Sequence, residues 1–475
     1  MKLKRCTSCS TPHYAFPLIY KNVSPEVKFR IYIFPFLQFI IFFLSFVTNW
    51  YEELVISLFF ISVLMMLDKL GKGVVLREII ALHTCFICLF MPLIGYRIFN
   101  DNNALTRLWV KQMPVDEIAY FSFALPAVAG FVLALCWPLT YKDGNDNTLF
   151  VKQIIAKAKV LLHKRPKTGL YLLVIGTVMF WVSAFLPVEI QFAFLLFYFA
   201  SFTGFLYVYY TSYFRYKILV LCLFAGFILM NAFNSGMFTV VAYMGLTLFS
   251  FFFLGRKTRL WKKIVWFFTG IFLLIILQLV KPAFRQITWK GNYTGSKAEL
   301  FANMFGDQVA NFNWKSADAF FPVYVRTNQG FNVALVMRRI PALKPHDNGS
   351  RLFLTLASSF VPRFLWVDKP EAGGKFNMEY YTGYIIKGWS TNVGPLGEAY
   401  GSFGVGGGII FMILLGGFIR WAYGLVFKFG KNTPLLLLWI PVLFYQVTYS
   451  AESDTLQIMN SLIKSALFIY ILYKL

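Results

Sequence analysis

Val361-Pro-Arg-Phe-Leu-Trp-Val-Asp-Lys-Pro370 and Gly394-Pro-Leu-Gly-Glu-Ala-Tyr-Gly-Ser-Phe-Gly404 lie inside residues 281–403, the one long polar segment with hydrophobic sequence on both sides. A membrane helix needs about 20 mostly apolar residues. That measure gives twelve candidate spans, at 31–48, 54–68, 77–96, 118–139, 169–186, 190–212, 218–233, 237–254, 262–280, 404–427, 434–449 and 456–473. The expected fold is an all-α polytopic membrane protein in three parts: a bundle of about nine spans over 1–280, a large extracytoplasmic loop with short helices over 281–403, and about three further spans of the same domain over 404–475.

Composition agrees with this: 58% hydrophobic and 20% aromatic residues with 14% charged do not describe a soluble chain. The net charge of +24 would point to nucleic acid in a soluble protein, but here it follows topology. Lys and Arg on alternate sides of the twelve spans number 26 against 3, leaving the large loop out. Short cytoplasmic loops retain positive charge, so both termini are expected in the cytoplasm and 281–403 outside. The basic stretch Lys157-Ala-Lys-Val-Leu-Leu-His-Lys-Arg-Pro-Lys167 is then expected on the anionic inner leaflet. Six cysteines fall in the N-terminal tail or in hydrophobic segments, so no disulfide framework is expected, and Cys6-x-x-Cys9 lacks a second ligand pair for zinc. No apolar stretch follows the basic N-terminus until about residue 31, so the first span reads as a retained anchor.

Within the loop, Gly330 to Ile340 reads as a helix stopped by Pro341, with Arg338 and Arg339 at its C-terminal end. Ser350 to Phe360 reads as an interfacial helix with Leu352, Leu356 and Phe360 on one stripe. Arg285, Arg326, Arg338, Arg339 and Arg363 are candidates for gripping phosphate, because the guanidinium fork donates two parallel hydrogen bonds to neighbouring oxygens. The glycines from Gly404 to Gly417 favour close helix approach over a phosphate loop, since no Gly-Lys-Ser follows. In the last span Gln457, Asn460, Ser461, Lys464 and Ser465 form a polar stripe, with Lys464 at mid-membrane, and Ala451-Glu-Ser-Asp454 sets two carboxylates at its mouth.

No HExxH, Walker lysine loop or GxSxG is present, and four histidines support neither a metal cage nor a triad. No cytoplasmic segment is large enough to bind a nucleotide, so the expected substrate arrives already activated in the membrane. A sugar on a lipid diphosphate meets that requirement.

Val361 to Pro370, followed by Gly397-Glu-Ala-Tyr-Gly-Ser-Phe-Gly404 and a glycine-rich span, resembles the Wzy family of bacterial O-antigen and oligosaccharide repeat-unit polymerases. The resemblance implies a GT-C-like, inverting, metal-independent glycosyltransferase of the inner membrane with no cofactor. It would join polyprenyl-diphosphate-linked oligosaccharides into an O-antigen, capsule or exopolysaccharide on the periplasmic face. Implied partners are these lipid-linked substrates, membrane lipids, a chain-length regulator and a repeat-unit flippase, with no nucleic acid. The catalytic residues implied are Glu398, as base, and Arg363. Arg285, Arg326, Arg338, Arg339, Lys369, Lys464, Asp368 and Tyr400 would bind the diphosphates and glycan. Related enzymes carry Ser-Arg-Gly at the outer end of a middle span, where this chain has Asn234-Ser-Gly-Met237. An O-antigen ligase, leaning on His346, and a lipid-linked-oligosaccharide transporter are the alternatives.

Overall fold

The computed structural model describes residues 25–139, 148–211, 215–256, 258–290, 293–361, 365–366, 373–386 and 391–474. Described elements are helical, apart from one isolated bridge between Leu70 and Gly73. In chain order the longer helices are α1 (Pro25–Val47), α2 (Tyr51–Lys69), α3 (Leu76–Arg97), α4 (Glu117–Cys136), α5 (Thr148–Lys164), α6 (Thr168–Ser183), α7 (Val188–Tyr210), α8 (Lys217–Ser235), α9 (Thr239–Phe253) and α10 (Leu260–Arg285). The polar segment supplies α11 (Lys297–Asn311), α12 (Phe321–Thr327), α13 (Gln329–Arg339), α14 (Ser350–Phe360) and α15 (Gly374–Thr382), and the chain ends with α16 (Gly394–Gly430) and α17 (Thr455–Lys474).

Twelve spans were expected; among the described residues seven helices are long and apolar enough to cross a membrane, or eight if the bent pair α5–α6 is one span. Tyr32–Val47 within α1, α9 and Pro434–Leu443 are shorter apolar stretches, and α5 meets α6 at 84°. That bend lays α5 across the bundle, with Val151, Ile154, Ile155, Ala158 and Leu162 inward and its lysines outward. α4 is buried almost all round and forms the centre, packed by α1, α3 and α16. Such a helix has no polar face to give to solvent. Small residues allow the closest approach: a Cβ on Gly416 would come within 2.5 Å of the Phe131 carbonyl, and one on Gly408 within 2.8 Å of Phe123.

Two helix irregularities position the site. Pro92 cannot donate to Cys88, and α3 answers with a π-turn over Phe86–Phe90, leaving the Cys88 carbonyl to accept the Tyr120 hydroxyl at 2.6 Å. Gly330 of α13 seats on that spot, where a Cβ would strike Pro92 and Tyr120. α16 bends at Gly404 (φ 68°, ψ −159°), so the span expected over 404–427 is preceded by a separate helical stretch carrying Glu398. The His346 ring faces this bend, its Nδ1 3.3 Å from the Gly401 carbonyl. Gly404→Ala is expected to cost about 1–3 kcal/mol, because the backbone there is essentially glycine-only. A thermal unfolding midpoint unchanged in detergent would show that the bend relaxes.

The span expected over 434–449 is instead broken into 3₁₀ and α fragments, Pro434–Trp439, Ile440–Leu443, Tyr445–Thr448 and Ser450–Glu452. Pro441 accounts for the first break; nothing in the sequence marks those at Phe444 and Tyr449. The segment is buried in protein, the setting in which irregular backbone is tolerated at membrane depth. α14, expected as an interfacial helix, keeps one face on protein. It packs along α17 and against α16, burying Leu352, Thr355, Ser358 and Ser359, while Phe360 of the expected stripe is exposed.

Candidate functional site

The broken segment ends in a turn that places Glu452 among polar side chains from three other elements. Its Oε2 accepts from Arg326 of α12 at 2.8 Å, and its Oε1 accepts from the Tyr243 hydroxyl of α9 at 3.0 Å and lies 3.4 Å from His83 Nε2 of α3. Tyr243 is held by stacking on Tyr449, with centroids 4.7 Å apart. Burial alone would raise the Glu452 carboxyl, but the Arg326 guanidinium and His83 overcome it and hold the group well below the usual carboxylate range. Arg326 is raised in turn by the Glu452 charge.

Two more cations stand close enough to act electrostatically on this pair. Lys281 and Arg285 lie one turn apart on α10, and Lys281 interacts with Arg285, Arg326 and Glu452. Arg285 is positioned by a 2.8 Å bond from its Nε to the Gly236 carbonyl and by the Trp289 ring, 4.5 Å away. Lys281 is 8% exposed and has no hydrogen-bond acceptor among the described residues. Like charges one turn apart on a helix oppose folding, and a lysine only 8% exposed keeps its ammonium partly desolvated. An anion bound between Lys281, Arg285 and Arg326 would relieve both penalties.

The structure thus brings together Arg285 and Arg326 of the residues expected from sequence. Arg285 docks on Gly236 of Asn234-Ser-Gly-Met237 from the neighbouring α10. Arg338 and Arg339 lie at the far end of α13, about 15 Å from its start at 1.5 Å per residue. There Arg338 donates to the Tyr384 hydroxyl at 2.8 Å, and Arg339 covers Gly383. Tyr400 packs edge-on against Phe123 and His346. Lys464 is half-buried on α17, two and a half turns beyond Thr455 and so about 14 Å along the helix. Arg363, Asp368 and Lys369 lie outside the described residues.

Glu398, expected to serve as the base, is 2% exposed and enclosed on both oxygens. Oε1 accepts from Asn377 at 2.6 Å, and Oε2 accepts from the Thr455 backbone N–H at 3.0 Å and from its hydroxyl. It therefore ties the first stretch of α16 to the start of α17. Asp454 beside it accepts from Gly373, Asn392 and Gln457, and burial pushes its carboxyl up.

Lys281, His83, Tyr243 and Glu452 were not singled out as site residues from sequence. The available signals were two cations four apart at the end of an apolar run and two carboxylates in the turn before the last span. Among the described residues no group of three or more His, Cys, Asp and Glu is gathered. No known family model matches the chain, and comparison with curated proteins and with solved structures gives no match either.

Proposed function

We propose that this protein is a membrane glycosyltransferase that polymerises polyprenyl-diphosphate-linked oligosaccharide repeat units on the outer face of the bacterial cytoplasmic membrane. The single observation that supports this most is the excess of cations at the end of spanning helix α10: Lys281 and Arg285 one turn apart, both within electrostatic reach of Arg326, against one carboxylate, Glu452, which Arg326 pairs at 2.8 Å. The charge surplus suits a diphosphate, and its place in a membrane bundle suits one carried by a lipid. In the reaction the bond from the sugar anomeric carbon to the diphosphate oxygen breaks. A bond from that carbon to an acceptor hydroxyl oxygen forms, and the hydroxyl gives up its proton. The diphosphate gains negative charge as it leaves, so cations fixed around it stabilise the transition state more than the ground state. Because both Glu398 oxygens are engaged by Asn377 and Thr455, the acceptor proton is taken to pass to an oxygen of the departing diphosphate, which the new charge makes more basic.

Lys281→Met tests the site. A hydrogen bond to a charged group contributes about 1.5–3 kcal/mol, so polyprenyl diphosphate should bind roughly 10- to 150-fold more weakly. The variant should fold at least as well as wild type, since a buried charge and a like-charge pair are both removed. Unchanged affinity, read by titration in detergent micelles, would take the diphosphate out of this cluster.

A further inference from the structure

Helices α1, α4 and α16 leave a groove of about 610 Å³ lined by apolar side chains including Phe42, Ala134, Ile413 and Phe418. A Cβ on Gly417 would meet nothing within 4 Å, so the wall is open there. The groove ends at Trp137, Trp421 and Arg420, the one charged residue lining it. Arg420 is fixed by donating from Nε to the Trp137 carbonyl at 3.0 Å and from a terminal nitrogen to the Pro138 carbonyl at 2.8 Å.

We propose that this groove binds a phospholipid, with one acyl chain lying past Gly417 between α4 and α16 and the phosphate at Arg420. The walls offer a bound water too few polar partners, and spanning helices present the groove to hydrocarbon. Paired tryptophans and an arginine at one end are the groups that settle at headgroup level. A guanidinium already held by two backbone carbonyls presents its charge to a phosphate with little further ordering. The source committed to is the surrounding bilayer, and a second copy of the chain is the competing occupant.

The test uses the full chain, delipidated in detergent and then given phosphatidylglycerol or diacylglycerol, with bound lipid counted by native mass spectrometry. Gly417→Leu and Ala134→Phe fill the groove from opposite walls, and Gly226→Leu, on α8 where a Cβ also meets nothing within 4 Å, is the control. Phosphatidylglycerol is expected to occupy wild type at least about tenfold more than diacylglycerol, and each groove variant to lower that occupancy about tenfold, a change of 1.4 kcal/mol. The control should match wild type. Equal retention of the two lipids, or no loss in either groove variant, would overturn the proposal. So would a wild-type dimer that the groove variants dissociate.

Discussion

Arg326→Gln is expected to lower polymer formation per folded molecule about 10²–10³-fold, the usual cost of removing one preorganised group that meets developing charge. The residue has two duties: it neutralises Glu452 and it adds a positive charge to the diphosphate site. Its loss leaves Glu452, with a side chain 17% exposed, to Tyr243, His83 and the more distant charge of Lys281. Stability should fall by about 1–3 kcal/mol as that carboxylate loses its partner. The double variant Arg326→Gln/Glu452→Gln separates the duties. It should recover most of the thermal stability and almost none of the turnover. Full recovery of turnover would mean that Arg326 serves only to balance Glu452.

Glu398→Ala should act on the fold instead of the chemistry. The hydrogen bonds from Asn377 and from the N-terminus of α17 would be lost, and donors that are now satisfied would be buried without acceptors. A loss of about 3 kcal/mol is expected, enough to reduce the folded yield in membranes severely. The folded fraction, isolated by size exclusion, should turn over near the wild-type rate. A variant of wild-type stability with no turnover would return Glu398 to the role of base.

Much of the frame was legible because its signals are local. α4 is apolar over its whole length, α13 ends before Pro341, and the polar segment is bounded by hydrophobic runs. The breaks between Pro434 and Glu452 were not legible, since apolar residues fill a broken segment inside a bundle as readily as a straight span. Lys281 was passed over because a lysine at the end of an apolar run ordinarily reaches for solvent. Its burial depends on contacts from distant parts of the chain. Arg338 and Arg339 were grouped with Arg326 by proximity in sequence, and the rigid length of α13 separates them in space. Glu398 lay in the motif that carried the resemblance, but its enclosure by Asn377 and Thr455 is a tertiary fact with no sequence signature.

The most direct measurement is a polymerisation assay with the purified wild-type protein in lipid nanodiscs, polyprenyl-diphosphate-linked oligosaccharide as the only sugar source, and no other enzyme. The account predicts a ladder of products differing by one repeat unit, with one polyprenyl diphosphate released for each bond formed. A folded, monodisperse protein that yields neither ladder nor released polyprenyl diphosphate would contradict it, as would one that makes a single transfer only to an added lipid A-core.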